Sequence, residues 1–220
     1  MNNKKRNLIP HHVLLLICLL PGMAMAVAAE QGPVEMLQNT TDEILRIIKD
    51  EPQIINDQAR LREIASDIIY PHVDFTELSR WVLGKHWRDA TPAQRQIFIN
   101  EFRELLLNTY LRSVTSYQDN TIRYQPMRQQ PTDGRAIVHA SIEAPGAPLI
   151  KAEFRLHQAG QEWLIYDVAI DGVSLVVTQR SSFSEFIRRE GIDGLIARLE
   201  SRNTELKGNP SAAPVQSTPQ

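Results

Sequence analysis

The stretch Trp163-Leu-Ile-Tyr-Asp-Val-Ala-Ile-Asp171-Gly-Val-Ser174-Leu-Val-Val177 decides how this chain is read. It starts as a strand, turns at Asp171-Gly172 and continues as a helix. Strict alternation places Leu164, Tyr166, Val168 and Ile170 on one face of the strand. It places Trp163, Ile165 and Ala169 on the other, with a single carboxylate, Asp167. A sheet with one wet face alternates apolar and polar residues. A strand apolar on both faces is therefore expected to be central and covered from both sides.

Three further strands precede it. Thr121–Met127 alternates with Ile122 and Tyr124 inward. After Asp133-Gly134, the residues Ala136, Val138, Ala140 and Ile142 share a face. After the turn Pro145-Gly-Ala-Pro148, so do Ile150, Ala152, Phe154 and Leu156, while Lys151, Glu153, Arg155 and His157 face away. Short loops between four such runs imply an antiparallel meander.

The first half of the chain is helical by period. Pro33–Lys49 carries Val34, Leu37, Ile44, Leu45 and Ile48, and Asp57–Ile69 carries Leu61, Ile64, Ala65 and Ile68 before Pro71 stops it. Asp74-Phe-Thr-Glu77 opens a short helix that ends at Gly84. Thr91-Pro-Ala-Gln94 combines a capping box with proline at the first helical position. The long helix it opens carries a stripe of Phe98, Phe102, Leu105, Leu106, Tyr110 and Val114. Two closing helices, about 174–189 and 193–206, flank Gly191. The expected fold is α+β, a curved sheet of about four strands packed on the long helix, with helices from both chain ends around it.

The N-terminus sets the compartment. Lys4-Lys5-Arg6 precedes the short apolar run 13–20, and Ala24-Met-Ala26-Val-Ala28 follows with small residues suited to cleavage. Residues 1–28 read as an export signal, too short to span a bilayer. The remainder divides into one domain, 29–206, and a Pro/Ser/Gln-rich tail, 207–220. Losing three of 24 basic residues leaves 21 against 26 acidic ones, a net charge of about −5. The only cysteine, Cys18, leaves with the signal, so disulfides contribute nothing and a hydrophobic core must stabilise the fold. The acidic balance excludes nucleic acid as a natural partner.

Chemistry is sparse. The chain carries no H-E-x-x-H, no G-x-S-x-G, no phosphate loop and no dinucleotide fingerprint. His72, His86, His139 and His157 lack metal-ligand spacing, so neither a metal nor a cofactor is expected. His139 and His157 fall on the polar strand face, where solvation is the ordinary state. His72 precedes the helix cap at Asp74, and Asn39-Thr-Thr41 fits a glycosylation sequon. Asp167 is a general base if it is buried without partners, and a hydrogen-bond acceptor or rim residue otherwise. The inward sheet face mixes Ala136, Ala140 and Ala152 with Val138, Ile142, Phe154 and Leu156. Small residues there mean either a close-packed helix or an aliphatic cavity, and pattern alone leaves both open.

Order and spacing supply more. Leu83-Gly84-Lys-His-Trp87, Thr91-Pro-Ala-Gln94, Tyr166-Asp-Val-Ala-Ile-Asp-Gly172-Val-Ser174 and Gly191-Ile-Asp-Gly194 together resemble the periplasmic phospholipid-shuttle family of the Mla pathway, the MlaC-like or toluene-tolerance family, over roughly residues 34–204. The resemblance implies an NTF2-like fold enclosing an apolar cavity, a monomeric non-enzymatic carrier, and a diacyl phospholipid as cargo. It implies shuttling between an outer-membrane lipoprotein–porin complex and an inner-membrane ABC transporter with its substrate-binding subunit, which maintains outer-membrane lipid asymmetry. Under this reading the lining comes from Phe98, Phe102, Leu106 and Tyr110 of the long helix. The sheet adds Val138, Ala140, Ile142, Ala152 and Phe154, and the last strand adds Tyr166, Val168 and Ile170. Val173, Leu175 and Val176 at the start of the closing helix complete it. The alternatives are a periplasmic adaptor or chaperone, and an isomerase or dehydratase using Asp167 or Tyr166.

Overall fold

The structure, a computed structural model, describes residues 31–115, 120–127 and 129–208, without the side chains of 111–115. The export signal and most of the C-terminal tail lie outside the described residues. Helix α1 (Pro33–Asp50) leads through a 3-10 turn to α2 (Gln58–Ile64), which runs on through a π-helical turn over Ala65–Ile69. Next come α3 (Phe75–Leu83), the single turn α4 (His86–Asp89) and α5 (Pro92–Thr115). Strands β1 (Thr121–Tyr124), β2 (Arg135–Glu143), β3 (Ile150–Ala159), β4 (Glu162–Ile170) and β5 (Val173–Ser174) precede α6 (Leu175–Gly208).

The local signals act as their chemistry requires. Asp74 Oδ1 accepts from the Glu77 N–H at 2.8 Å, capping α3. Thr91 and Gln94 close a reciprocal box, with N–H donors at 3.2 and 2.9 Å. Both Asp-Gly pairs turn with positive φ at each residue: Asp133 and Gly134 at 52° and 65°, Asp171 and Gly172 at 48° and 84°. At Gly191 (φ 73°, ψ 178°) α6 breaks into two helices.

The sheet is antiparallel, in the order β1-β2-β3-β4-β5, with the two-residue β5 extending the expected four strands. Its register explains the doubly apolar strand. Leu156 pairs with Ile165 and Arg155 with Asp167, so Tyr166 is an extra residue, a β-bulge. Side-chain parity therefore reverses in mid-strand. Trp163, Ile165, Val168 and Ile170 share the inner face, whereas Leu164, Asp167 and Ala169 share the outer one. The strict alternation expected along β4 does not hold, because one surplus residue shifts its phase.

The sequence also misplaces the long helix. Phe98 and Phe102, both fully buried, join Leu78, Val82, Val176, Phe183, Leu195 and Leu199 in a core made by α3, α5 and α6. Phe183 meets both rings edge-on. The dominant partner of α5 is α6 rather than the sheet. The inner sheet face is instead covered by α1, whose Met36 and Leu37 pack with Ala136, Val138, Leu156 and Trp163. A third cluster, around Ile48, Ile54, Leu61 and Ile64, ties the end of α1 to α2.

Candidate functional site

Between α1 and the inner sheet face lies a hollow of about 180 Å³. Ala140 and Ala152 are direct cross-strand partners, and their missing side-chain volume opens the space. Ile142, Phe154 and Ile165 continue the sheet wall, and β1 adds Ile122 and Tyr124. The facing wall is Met36, Leu37, Thr40, Thr41 and Ile44 of α1, with Ile69 and His72 from the segment before α3. The lining is almost wholly apolar. Its polar groups are largely spoken for within the wall: Thr40 donates to the Met36 carbonyl at 2.8 Å, and the Thr41 and Tyr124 hydroxyls bond each other at 2.5 Å. Burial is the main cause raising the Tyr124 phenol above its usual pKa, with Asp42 adding to the shift and the Thr41 bond opposing it.

Of the side chains expected at a cavity, the structure brings Ala140, Ile142, Ala152 and Phe154 together on its wall. Val138 shares their face but is sealed in the neighbouring cluster under α1. Val168 and Ile170 lie on the inner face beyond the hollow, and Tyr166, the bulged residue, stacks on Trp81 with ring centroids 6.2 Å apart. Phe98, Phe102 and Leu106 belong to the helical core, and Tyr110 is exposed, because α5 packs on α6. Leu175 and Val176 join the same helical core, while Val173 is 65% exposed on the two-residue β5. The start of α6 therefore does not line the hollow. The lining residues missed are chiefly those of α1, with Ile69, His72, Ile122, Tyr124 and Ile165. Met36, Leu37, Thr40 and Ile44 form one helical stripe, of which the sequence pattern picks out Leu37 and Ile44 as apolar positions without assigning them to a cavity wall.

Asp167 is 2% exposed and fully engaged. Its Oδ2 accepts from the Ser174 hydroxyl at 2.6 Å and from Arg155 at 3.3 Å, and its Oδ1 accepts from the Val176 N–H at 3.0 Å. It fastens the N-terminus of α6 to the sheet, on the face away from the hollow. His157, expected to be solvated, is half-buried and bonds Asp74 at 3.0 Å. Among the described residues no group of three His, Cys, Asp or Glu could hold a metal, and no helix is long and apolar enough to cross a membrane.

An antiparallel sheet roofed by one helix over an apolar hollow, and buttressed by a separate helical core, defines an α+β protein with an internal apolar compartment. The chain belongs to the MlaC family, whose model, described as MlaC protein, matches residues 38–201. It is 24% identical over 176 residues to the intermembrane phospholipid transport system binding protein MlaC of Haemophilus influenzae, covering 78% of this chain and 82% of that one. It is 26% identical over 181 residues to the toluene tolerance protein ttg2D of Pseudomonas putida, covering 81% and 83%. The phospholipid-binding protein from Ralstonia solanacearum, solved in complex with a phospholipid, superposes with a TM-score of 0.72 at 26% identity, over 78% of this chain and 97% of that one.

Proposed function

We propose that this protein is a periplasmic phospholipid carrier that holds acyl chains in the hollow between α1 and the sheet. The observation that carries this reading is the paired alanines Ala140 and Ala152, which leave an apolar space in a wall that larger residues would fill. The similarity to a protein solved with a phospholipid supports the same ligand class. Two acyl chains present on the order of 30 methylenes, and leaving them in water costs roughly 20–25 kcal/mol at about 0.8 kcal/mol each. An apolar enclosure is thus required. Because a bilayer is equally apolar, net transfer is close to neutral, and docking partners set its direction. These are the outer-membrane and inner-membrane complexes between which the carrier moves lipid, and the outcome is maintained outer-membrane asymmetry.

At about 180 Å³ the hollow is smaller than the ~300–1,000 Å³ of ordinary ligand sites. Loading therefore widens it. On this reading the wall that yields is α1, which is tied to the edge strand β1 by the Thr41–Tyr124 bond. The carrier needs no catalysis of its own, and Asp167, the carboxylate that invites a catalytic reading, lies on the face away from the hollow with both oxygens hydrogen-bonded. Mass spectrometry of protein isolated from its own cells without detergent tests the reading. Wild type is expected to carry diacyl phospholipid in stoichiometric amount, and Ala152→Phe to be folded and empty. A wild type without lipid, or an Ala152→Phe protein with full lipid, overturns it.

A further inference from the structure

We infer that the outer face of the molecule at Trp81, Arg135 and Arg180 is a docking surface for an acidic segment of a partner protein. Four side chains from three elements and the β4 bulge converge there. Tyr166, the surplus residue of β4, stacks on Trp81 of α3. The Arg135 guanidinium of β2 sits 5.9 Å from the Trp81 ring and 5.5 Å from that of Tyr166. The Arg180 guanidinium of α6 sits 5.7 Å from Trp81, steered by its Nε donating to the Trp81 carbonyl at 2.6 Å. Rings and guanidinia thus brace each other, so little side-chain entropy remains to be lost on binding.

The charges are incompletely neutralised. Arg180 has no carboxylate within 4 Å among the described residues, and Arg135 reaches only Glu77, at 4.0 Å. Glu77 is already shared, accepting from Trp81 Nε1 at 2.9 Å and pairing with Arg80 at 2.9 Å. Asp74 is engaged elsewhere, bonded to His157 at 3.0 Å and capping α3 through the Glu77 N–H. Arg80 and Arg135 thus share one carboxylate and Arg180 has none, on a chain whose formal net charge is −2. Trp81 remains 38% exposed, and Ile137, two residues from Arg135 on the same face of β2, is 51% exposed. Exposed tryptophan and arginine around an apolar centre are the side chains that dominate protein interfaces. Planar guanidinium forks match carboxylates in particular. A membrane surface is the poorer fit, since a net acidic chain with one small cationic site is repelled by anionic lipid as a whole.

The surface stands independently of the lipid reading, and its test uses no lipid cargo. Full-length protein is titrated with a fluorescent glutamate-rich peptide and with its glutamine counterpart, following anisotropy and the Trp81 indole N–H resonance. The glutamate peptide is expected to bind and shift that resonance, and the glutamine peptide to do neither. Arg135→Gln, at an exposed site that leaves the fold intact, is expected to weaken binding by about tenfold. Neutralising Arg46 and Arg189, exposed cations elsewhere, removes more charge and is expected to change affinity less than about twofold. Equal losses in the two variants overturn the inference in favour of non-specific attraction. So does an identical Trp81 shift from inorganic phosphate alone, or binding of phosphatidylglycerol vesicles through Arg135 with no binding of the peptide.

Discussion

Asp167 shows what a single residue does here. A carboxylate on an apolar strand invites a catalytic reading, yet each of its oxygens is occupied, and two of its donors belong to the first turn of α6 and the strand before it. Ser174 continues the relay by accepting from the Val177 N–H at 3.1 Å. Asp167→Ala removes a helix cap and strands the Ser174 hydroxyl, at a cost of about 2–4 kcal/mol. Asp167→Asn keeps an acceptor and costs less. Urea unfolding of both variants checks the order, and a catalytic role would require the asparagine variant to lose function while keeping full stability. Sequence named this residue correctly and could not name its partners. Ser174 and Val176 approach it only because β5 folds back on β4, a contact no spacing rule encodes.

The elements were largely legible. Capping boxes, Asp-Gly turns and the break at Gly191 act locally, so sequence located them to within a few residues. Two things escaped. One is which apolar faces meet: Phe98 and Phe102 are as compatible with a sheet as with Phe183, and only the assembled helices choose. The other is the phase of β4, where one unpaired residue puts Trp163 and Ile165 on the inner face and Leu164 on the outer one, the reverse of the expected assignment. The packing of α5 on α6 takes Phe98, Phe102, Leu106 and Tyr110 away from the hollow, and the bulge takes Tyr166. It also makes a sharp test. Deleting Tyr166 would leave every other β3–β4 pair intact and lose mainly the Trp81 stack, worth about 1 kcal/mol. Deleting Ala169 instead moves an inward apolar residue to the wrong face. The expected outcome is a folded protein in the first case and a grossly destabilised one in the second, read by thermal melts.

At the scale of the whole molecule, stability responds to alkali. Burial raises the phenols of Tyr124 and Tyr70 above their ordinary value of 10.0, reinforced for Tyr70 by Glu104 and opposed by Arg103 and Arg62. In the unfolded chain both titrate near 10. Once pH exceeds that value the unfolded state sheds protons that the folded state keeps, so stability present at neutral pH declines as pH rises. Urea midpoints measured from neutral pH to above pH 10 should fall, and Tyr124→Phe should flatten the decline.

The sheet ends in very short margins, four residues in β1 and two in β5. A carrier's working cycle opens an apolar interior again and again, which is the circumstance in which stray strands find one another. Here an intruding chain would gain a handful of rungs before the ladder stopped. On the proposed carrier reading the protein gapes without becoming a seed, and the brevity of its outermost strands is then a safeguard on the act of loading rather than an economy of folding.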